Sequence, residues 1–141
     1  MRDSQGEAKL FISIYFQHRT WCNNLWHFLF TIIKSAKDEI CAQVTTDGQS
    51  PWFSGHFPDN PILPGIAQLK IVADIIAASR EDAIYMTAVS RVKFRKIVKP
   101  GEPLDVHAII GKKNEQYSFR ITSNHEEVCS GMMFFAQKNT T

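Results

Sequence analysis

Hydrophobic positions recur with two different periods along the chain, and the change of period marks out the elements. Phe28–Ser35 and Glu39–Thr46 are β-prone segments joined by Ala36-Lys37-Asp38, which predicts a hairpin. Residues 65–79 change character. Ile66, Leu69, Ile71, Val72, Ile75 and Ile76 and four alanines make a helix that is apolar on nearly every side, so burial is expected. Past Arg80-Glu81-Asp82 the pattern returns to period two. Strands are predicted over 83–98, 104–112, Gln116–Ser123 and 127–137, with turns at Lys99-Pro100-Gly101-Glu102, residues 111–115 and Asn124-His125-Glu126. In the second of these strands Leu104, Val106, Ala108 and Ile110 point one way, and Asp105, His107 and Ile109 the other.

One helix with five or six antiparallel strands is an α+β arrangement. Residues 28–141 are taken as one domain, preceded by an N-terminal extension over 1–27 of open structure. There Leu10, Ile12, Ile14 and Phe16 alternate like a strand, while Trp21, Cys22, Leu25 and Trp26 recur at helical spacing.

Between the hairpin and the helix, residues 47–64 carry four of the chain's six prolines: Pro51, Pro58, Pro61 and Pro64. Proline fixes φ, so the loop should be stiff, and a long stiff loop in a small domain is more often functional than idle. His56 sits in it between Gly55 and Phe57-Pro58. A histidine restrained this way can serve as a general base near neutral pH, although one satisfied by a carbonyl would read the same. Pro64-Gly65 opens the helix, whose first N–H groups lack internal acceptors and carry partial positive charge. Glycine lets a substrate carbonyl approach such a group closely. Phe57, Pro58, Ile62, Pro64 and Ile66, which surround these two groups in sequence, are candidate substrate contacts.

Composition narrows the remaining classes. The chain has 141 residues, 44% hydrophobic and 21% charged, which fits one packed domain. A net charge of +2 is too small to argue for nucleic acid. Three cysteines (Cys22, Cys41, Cys129) without metal spacing suit a reducing compartment, and no apolar run reaches the ~18 residues of a membrane span, so a cytoplasmic protein is expected. His18, His27, His107 and His125 show no metal-ligand spacing and are read as structural. No phosphate loop, dinucleotide fingerprint or Ser-His-Asp set is present.

The run His56-Phe57-Pro58-Asp59-Asn60-Pro61-Ile62-Leu63-Pro64-Gly65 followed by an apolar helix resembles the FabA/FabZ-type 3-hydroxyacyl-acyl-carrier-protein dehydratases. So does Val92-Lys93-Phe94-Arg95-Lys96-Ile97-Val98-Lys99-Pro100-Gly101-Glu102-Pro103-Leu104, and the similarity runs over roughly residues 28–137. Pro64-Gly65-Ile66-Ala67-Gln68-Leu69 looks closest to the branch associated with aryl-polyene pathways. The resemblance implies a hot-dog fold, an antiparallel sheet wrapped around one long helix, in a homodimer or a higher oligomer of dimers. It implies syn elimination of water from a 3-hydroxyacyl thioester on acyl carrier protein or coenzyme A, with no cofactor. His56 would take a proton from C2, Gly65 N–H would hold the thioester carbonyl, and a helix acid would protonate the departing hydroxyl.

The chain departs from that pattern at the acid. The position fourteen residues after the histidine is Lys70. At about 100° per residue Ile66, Lys70, Ala73 and Ala77 share one face, so Lys70 sits in an apolar arc, with Asp74 one turn on. An ordinary ammonium, near pKa 10.4, is a poor acid at neutral pH, and burial would lower that value. Either Lys70 replaces the acid, or Asp74 supplies it from about 6 Å along the axis, or the site does other thioester chemistry, such as hydrolysis, or none, as an acyl-binding or partner subunit. Lys70 could also snorkel to solvent at a subunit edge.

Arg91, Lys93 and Arg95 alternate onto one strand face opposite Val92 and Phe94. Beside an acyl tunnel they would steer an acidic carrier protein or hold a pantetheine phosphate; they read equally as a solvated face.

Overall fold

The computed structural model describes residues 12–14, 28–36, 38–46, 62–113 and 115–138. The alternating segments become one antiparallel sheet. Its strands are β1 (Ile12–Ile14), β2 (Phe28–Ser35), β3 (Glu39–Thr46), β4 (Ile84–Phe94), β5 (Leu104–Ile110), β6 (Gln116–Ser123) and β7 (Glu126–Gln137). They lie in the order β1-β2-β3-β5-β6-β7-β4. Among the described residues one helix, α1 (Gly65–Ala78), comes between β3 and β4 in the chain. This is the α+β, hot-dog arrangement expected. The alternation at Ile12 and Ile14 is realised as β1, which pairs with β2 through Ser13 and Thr31, so the sheet extends across the boundary placed at residue 28.

Period two decides which strand face is inside. Ile40, Ala42 and Val44 of β3, Val106 and Ala108 of β5, and Phe119 and Ile121 of β6 are buried. Their alternate neighbours Gln43, Asp105, Ser118 and Arg120 are exposed. The buried side of α1, with Ile71, Val72, Ile75 and Ile76, completes the same core. Fully burying one such side chain is worth roughly 1.5–3 kcal/mol, which holds the helix in place without N-terminal capping by a side chain.

The turns follow their residues. In Lys99-Pro100-Gly101-Glu102 proline precedes Gly101 at φ 80°, a backbone that glycine adopts without strain. Glu102 closes this turn twice, accepting from Lys99 N–H at 3.0 Å and from Ser123 Oγ at 2.6 Å. Asn124 and His125 both have positive φ in the two-residue connection of β6 to β7, the twist a tight hairpin needs.

β4 ends at Phe94, four residues short of the predicted limit, and it is not regular. Its register against β7 shifts between Ser90 and Lys93, where Arg91 takes φ 55°. The bulge presses Val92 onto Gly131 of β7. A Cβ at Gly131 would lie 3.0 Å from both Cα and Cγ2 of Val92 and 3.2 Å from Phe119 Cζ. Backbone cannot swing aside as a side-chain tip can, so Gly131→Ala is expected to cost about 1–3 kcal/mol in chemical denaturation. A variant as stable as wild type would show that the bulge yields freely.

Candidate active site

The helix start is clamped from two directions. Leu63 N–H donates to the Val98 carbonyl at 2.8 Å, which ties the chain before α1 to the chain after β4. The Leu63 carbonyl accepts Gln68 Nε2 at 3.2 Å from one turn inside the helix. Pro64 is the N-cap, with φ −64° and ψ 154°, and its carbonyl accepts from Ala67 and Gln68. Among the described residues Gly65 N–H takes no backbone acceptor. The ring of half-exposed Phe94 lies against this corner: a Cβ at Gly65 would be 2.6 Å from Phe94 Cζ. Gly65 thus leaves room for the ring at a helix N-terminus whose first N–H meets no backbone acceptor among the described residues.

The expectation that α1 is buried all round is corrected by the structure. Ile66 is 61% exposed, Leu69, Lys70 and Ala77 are half-buried, and Ala78 is exposed. One sheet wrapped around a helix covers only the side that faces it. Ile66 and Lys70 of the less covered side, together with buried Ala73 and Asp74, line a cavity of about 500 Å³ with Tyr85, Met86 and Phe135. This is the face on which the sequence placed Lys70 among apolar neighbours.

Three charged groups, Lys70, Asp74 and Lys138, interrupt that apolar lining. Lys70 Nζ donates to Asp74 Oδ1 at 2.9 Å, so the pair read from the i,i+4 spacing is formed. Asp74 is 7% exposed, and its Oδ2 has no hydrogen-bond partner among the described residues. Burial pushes its carboxyl up from 3.8 to about 6, against the pull of the Lys70 hydrogen bond and charge. A carboxyl poised near neutrality inside an apolar cavity can hold or release a proton under working conditions.

The basic residues collect elsewhere. Arg91, Lys93 and Arg95 line a shallow groove of about 580 Å³ with Arg120, Glu127 and Ser130. Glu127 accepts a hydrogen bond from Arg95 Nε at 2.8 Å and forms an ion pair with Arg120, whose Nε lies 3.1 Å away. Arg95 lies just past the end of β4, and the bulge at Arg91 breaks the simple alternation drawn from the sequence. The groove and the Lys70 cavity have no lining residue in common. Ile62 and Pro64 are half-buried beside the helix start. His56, Phe57 and Pro58 lie outside the described residues.

One grouping was not visible in the sequence. Glu39, Cys41 and His107 place their potential ligand atoms within 4.8 Å of one another. The reason is register: Cys41 pairs directly with His107 across β3 and β5. Only the strand alignment reveals this, since sixty-five residues separate the two in the chain.

Comparison with known proteins adds a family-level match. The model of the ApeI-like family, described as ApeI dehydratase, matches residues 32–132. A 3-hydroxyacyl-[acyl-carrier-protein] dehydratase FabZ from Rickettsia akari is 32% identical over 71 residues, covering 45% of this chain and 49% of that protein. The chain thus matches about half the length of this curated relative. Among solved structures, the dehydratase heterocomplex ApeI:P from Xenorhabdus doucetiae superposes with a TM-score of 0.65 at 26% identity, over 72% of this chain and 90% of that one. The E. coli PaaI protein from the phenylacetic acid degradation operon shares the fold, with a TM-score of 0.61 at 16% identity over 79% of this chain and 81% of that one.

Proposed function

The chain belongs to the ApeI-like dehydratase family, and from that premise we propose that it interconverts 3-hydroxyacyl and trans-2-enoyl thioesters as a hydro-lyase. The observation that carries this reading is the Lys70–Asp74 pair within a mostly apolar cavity along the helix that Gly65 opens. The acyl chain lies along the open arc of α1 against Ile66 and Ala73. Gly65 N–H polarises the thioester carbonyl and steadies the enolate-like charge that develops when C2 loses its proton. His56 takes that proton. Asp74, whose carboxyl titrates near 6, gives a proton to the departing 3-hydroxyl. Lys70 occupies the acid position and reaches Asp74 across one helical turn, so it can hold the hydroxyl while Asp74 supplies the proton. The C2–H and C3–O bonds break, the C2–C3 double bond forms, and water leaves.

The thioester is carried by acyl carrier protein or coenzyme A. Arg91, Lys93 and Arg95 offer positive charge to the acidic carrier or to the pantetheine phosphate. No described helix is long and apolar enough to cross a membrane.

Gly65→Ala separates the role of Gly65 in catalysis from its role in folding. The added methyl displaces only the tip of a half-exposed phenyl ring, and alanine suits a helix better than glycine. The expected result is a melting temperature within a few degrees of wild type and a fall in kcat of about 10²-fold, because the added methyl holds the thioester carbonyl away from the N–H and weakens that hydrogen bond about as much as losing it would. Retention of full activity would show that the thioester carbonyl does not need the close approach that glycine permits at this N–H.

A second reading has specific support: Lys70 stands where the family's acid is expected, and the ApeI:P structure is a heterocomplex. On that reading the chain binds the acyl group and a different subunit completes the site. Purified protein given 3-hydroxyacyl thioesters of short and long chain, on both carriers, tests the proposal by enoyl absorbance. Turnover by the protein alone supports it. Turnover only after an acid-bearing dehydratase-like subunit is added favours the second reading, and release of free thiol in place of enoyl product indicates a thioesterase.

A further inference from the structure

The face of the sheet turned away from α1 carries a cluster that dehydration does not use. On β3, Ile40, Ala42 and Val44 point into the core, so Glu39 and Cys41 project outward. On β5, Val106 and Ala108 are buried and His107 projects outward beside them. Cys41 and His107 are direct cross-strand partners, and Glu39 is one pleat away on the same face. His107 Nε2 is 2.5 Å from Glu39 Oε2, and the three potential ligand atoms all lie within 4.8 Å of one another.

We infer that Glu39, Cys41 and His107 form a binding site for a zinc-class divalent cation on the outer face of the sheet. Thiolate, imidazole and carboxylate are the donors that such an ion takes, and three protein ligands leave a fourth position for water. Bonds of about 2.0–2.3 Å put the corners of a tetrahedral site roughly 3.3–3.7 Å apart. The Glu39–His107 contact must therefore open by about 1 Å and the widest separation must close by a similar amount, which side-chain rotation supplies. The paired strands already fix the backbone. Glu39 is anchored from behind: Lys34 on β2 donates to its other oxygen, Oε1, at 2.8 Å. That leaves Oε2 on the side of Cys41 and His107, and a single-oxygen carboxylate ligand held by an outer partner is a common arrangement. All three residues are partly exposed, so a hydrated ion reaches them without any opening of the fold. The cation bridges β3 and β5 and shares no residue with the Lys70 cavity.

Cobalt(II) is the informative probe, because a cobalt–thiolate bond absorbs in the near ultraviolet and tetrahedral cobalt gives strong visible bands. Full-length protein, freed of metal and kept reduced, is titrated with cobalt and then with zinc. The expected result is one equivalent of thiolate-bound cobalt, displaced by one equivalent of zinc. Cys41→Ser should abolish the ultraviolet band, Cys22→Ser should keep it, and His107→Gln should weaken binding at least tenfold. Binding to wild type without the thiolate band, or a band that survives Cys41→Ser, overturns the assignment. Zinc-dependent melting gives a reading that does not depend on the cysteine variant folding. Zinc should raise the melting temperature of wild type and not that of His107→Gln, and equal shifts in both overturn the site.

Discussion

Asp74→Asn should slow the reaction and, at the same time, change how stability depends on pH. In the folded chain burial raises the Asp74 carboxyl from 3.8 to about 6, so the folded state binds the proton more tightly than the unfolded state does. Stability contributed by that proton is full below about pH 4 and is lost as pH rises through about 6. A displacement from 3.8 to about 6 corresponds to on the order of 3 kcal/mol between the two ends of that window. Asparagine does not titrate. Its stability relative to wild type should therefore improve by about that amount between pH 4 and pH 8, measured by denaturant unfolding at each pH. The absolute gain is smaller, because the new amide also lies where Oδ2 has no partner among the described residues. Activity should move the other way, with kcat falling about 10²- to 10⁴-fold through loss of the proton donor. A buried group whose removal relieves the fold and disables the chemistry is a functional group. Parallel pH–stability curves for the two proteins would show that Asp74 is not held near 6.

His56→Ala carries the other large effect. The proposed chemistry needs a base for the C2 proton, and His56 is the group that the sequence supplies, nine residues before Gly65 in a segment that carries Pro58, Pro61 and Pro64. Losing a positioned general base costs typically 10²- to 10⁴-fold, so kcat for enoyl formation should drop by that range. Added imidazole should restore part of the rate, because it replaces the missing base without altering the rest of the site. The pH dependence of unfolding set by Asp74 should be unchanged, which separates the two roles. Undiminished turnover in His56→Ala would place the base elsewhere.

How much of this could be read from the sequence depended on how local the signal was. Gln116–Ser123 was located to the residue and β7 to within one, because their periodicity is carried by the strands themselves and by turn residues such as Asn124. The start of α1 at Gly65 was legible from Pro64-Gly65, and the Lys70–Asp74 pair from helical spacing. The open arc of the helix was not: Ile66 and Ile71 look alike in sequence, and only the reach of the sheet leaves Ile66 at 61% exposed and Ile71 at 2%. The bulge at Arg91 was hidden for a related reason, since its cause is the pairing of β4 with β7 and the fit of Val92 over Gly131. The meeting of Cys41 with His107 depends on register across β3 and β5, which no linear spacing encodes. Asp74's displaced carboxyl likewise needs the burial that only tertiary packing creates.

The most direct test is the pH profile of enoyl-thioester formation by the purified chain. With Asp74 as acid, kcat should fall tenfold per pH unit above about 6 in wild type. Asp74→Asn should show a much lower rate without that alkaline limb. A wild-type rate that stays level from pH 6 to pH 9, or an alkaline limb retained in Asp74→Asn, would contradict proton donation from Asp74.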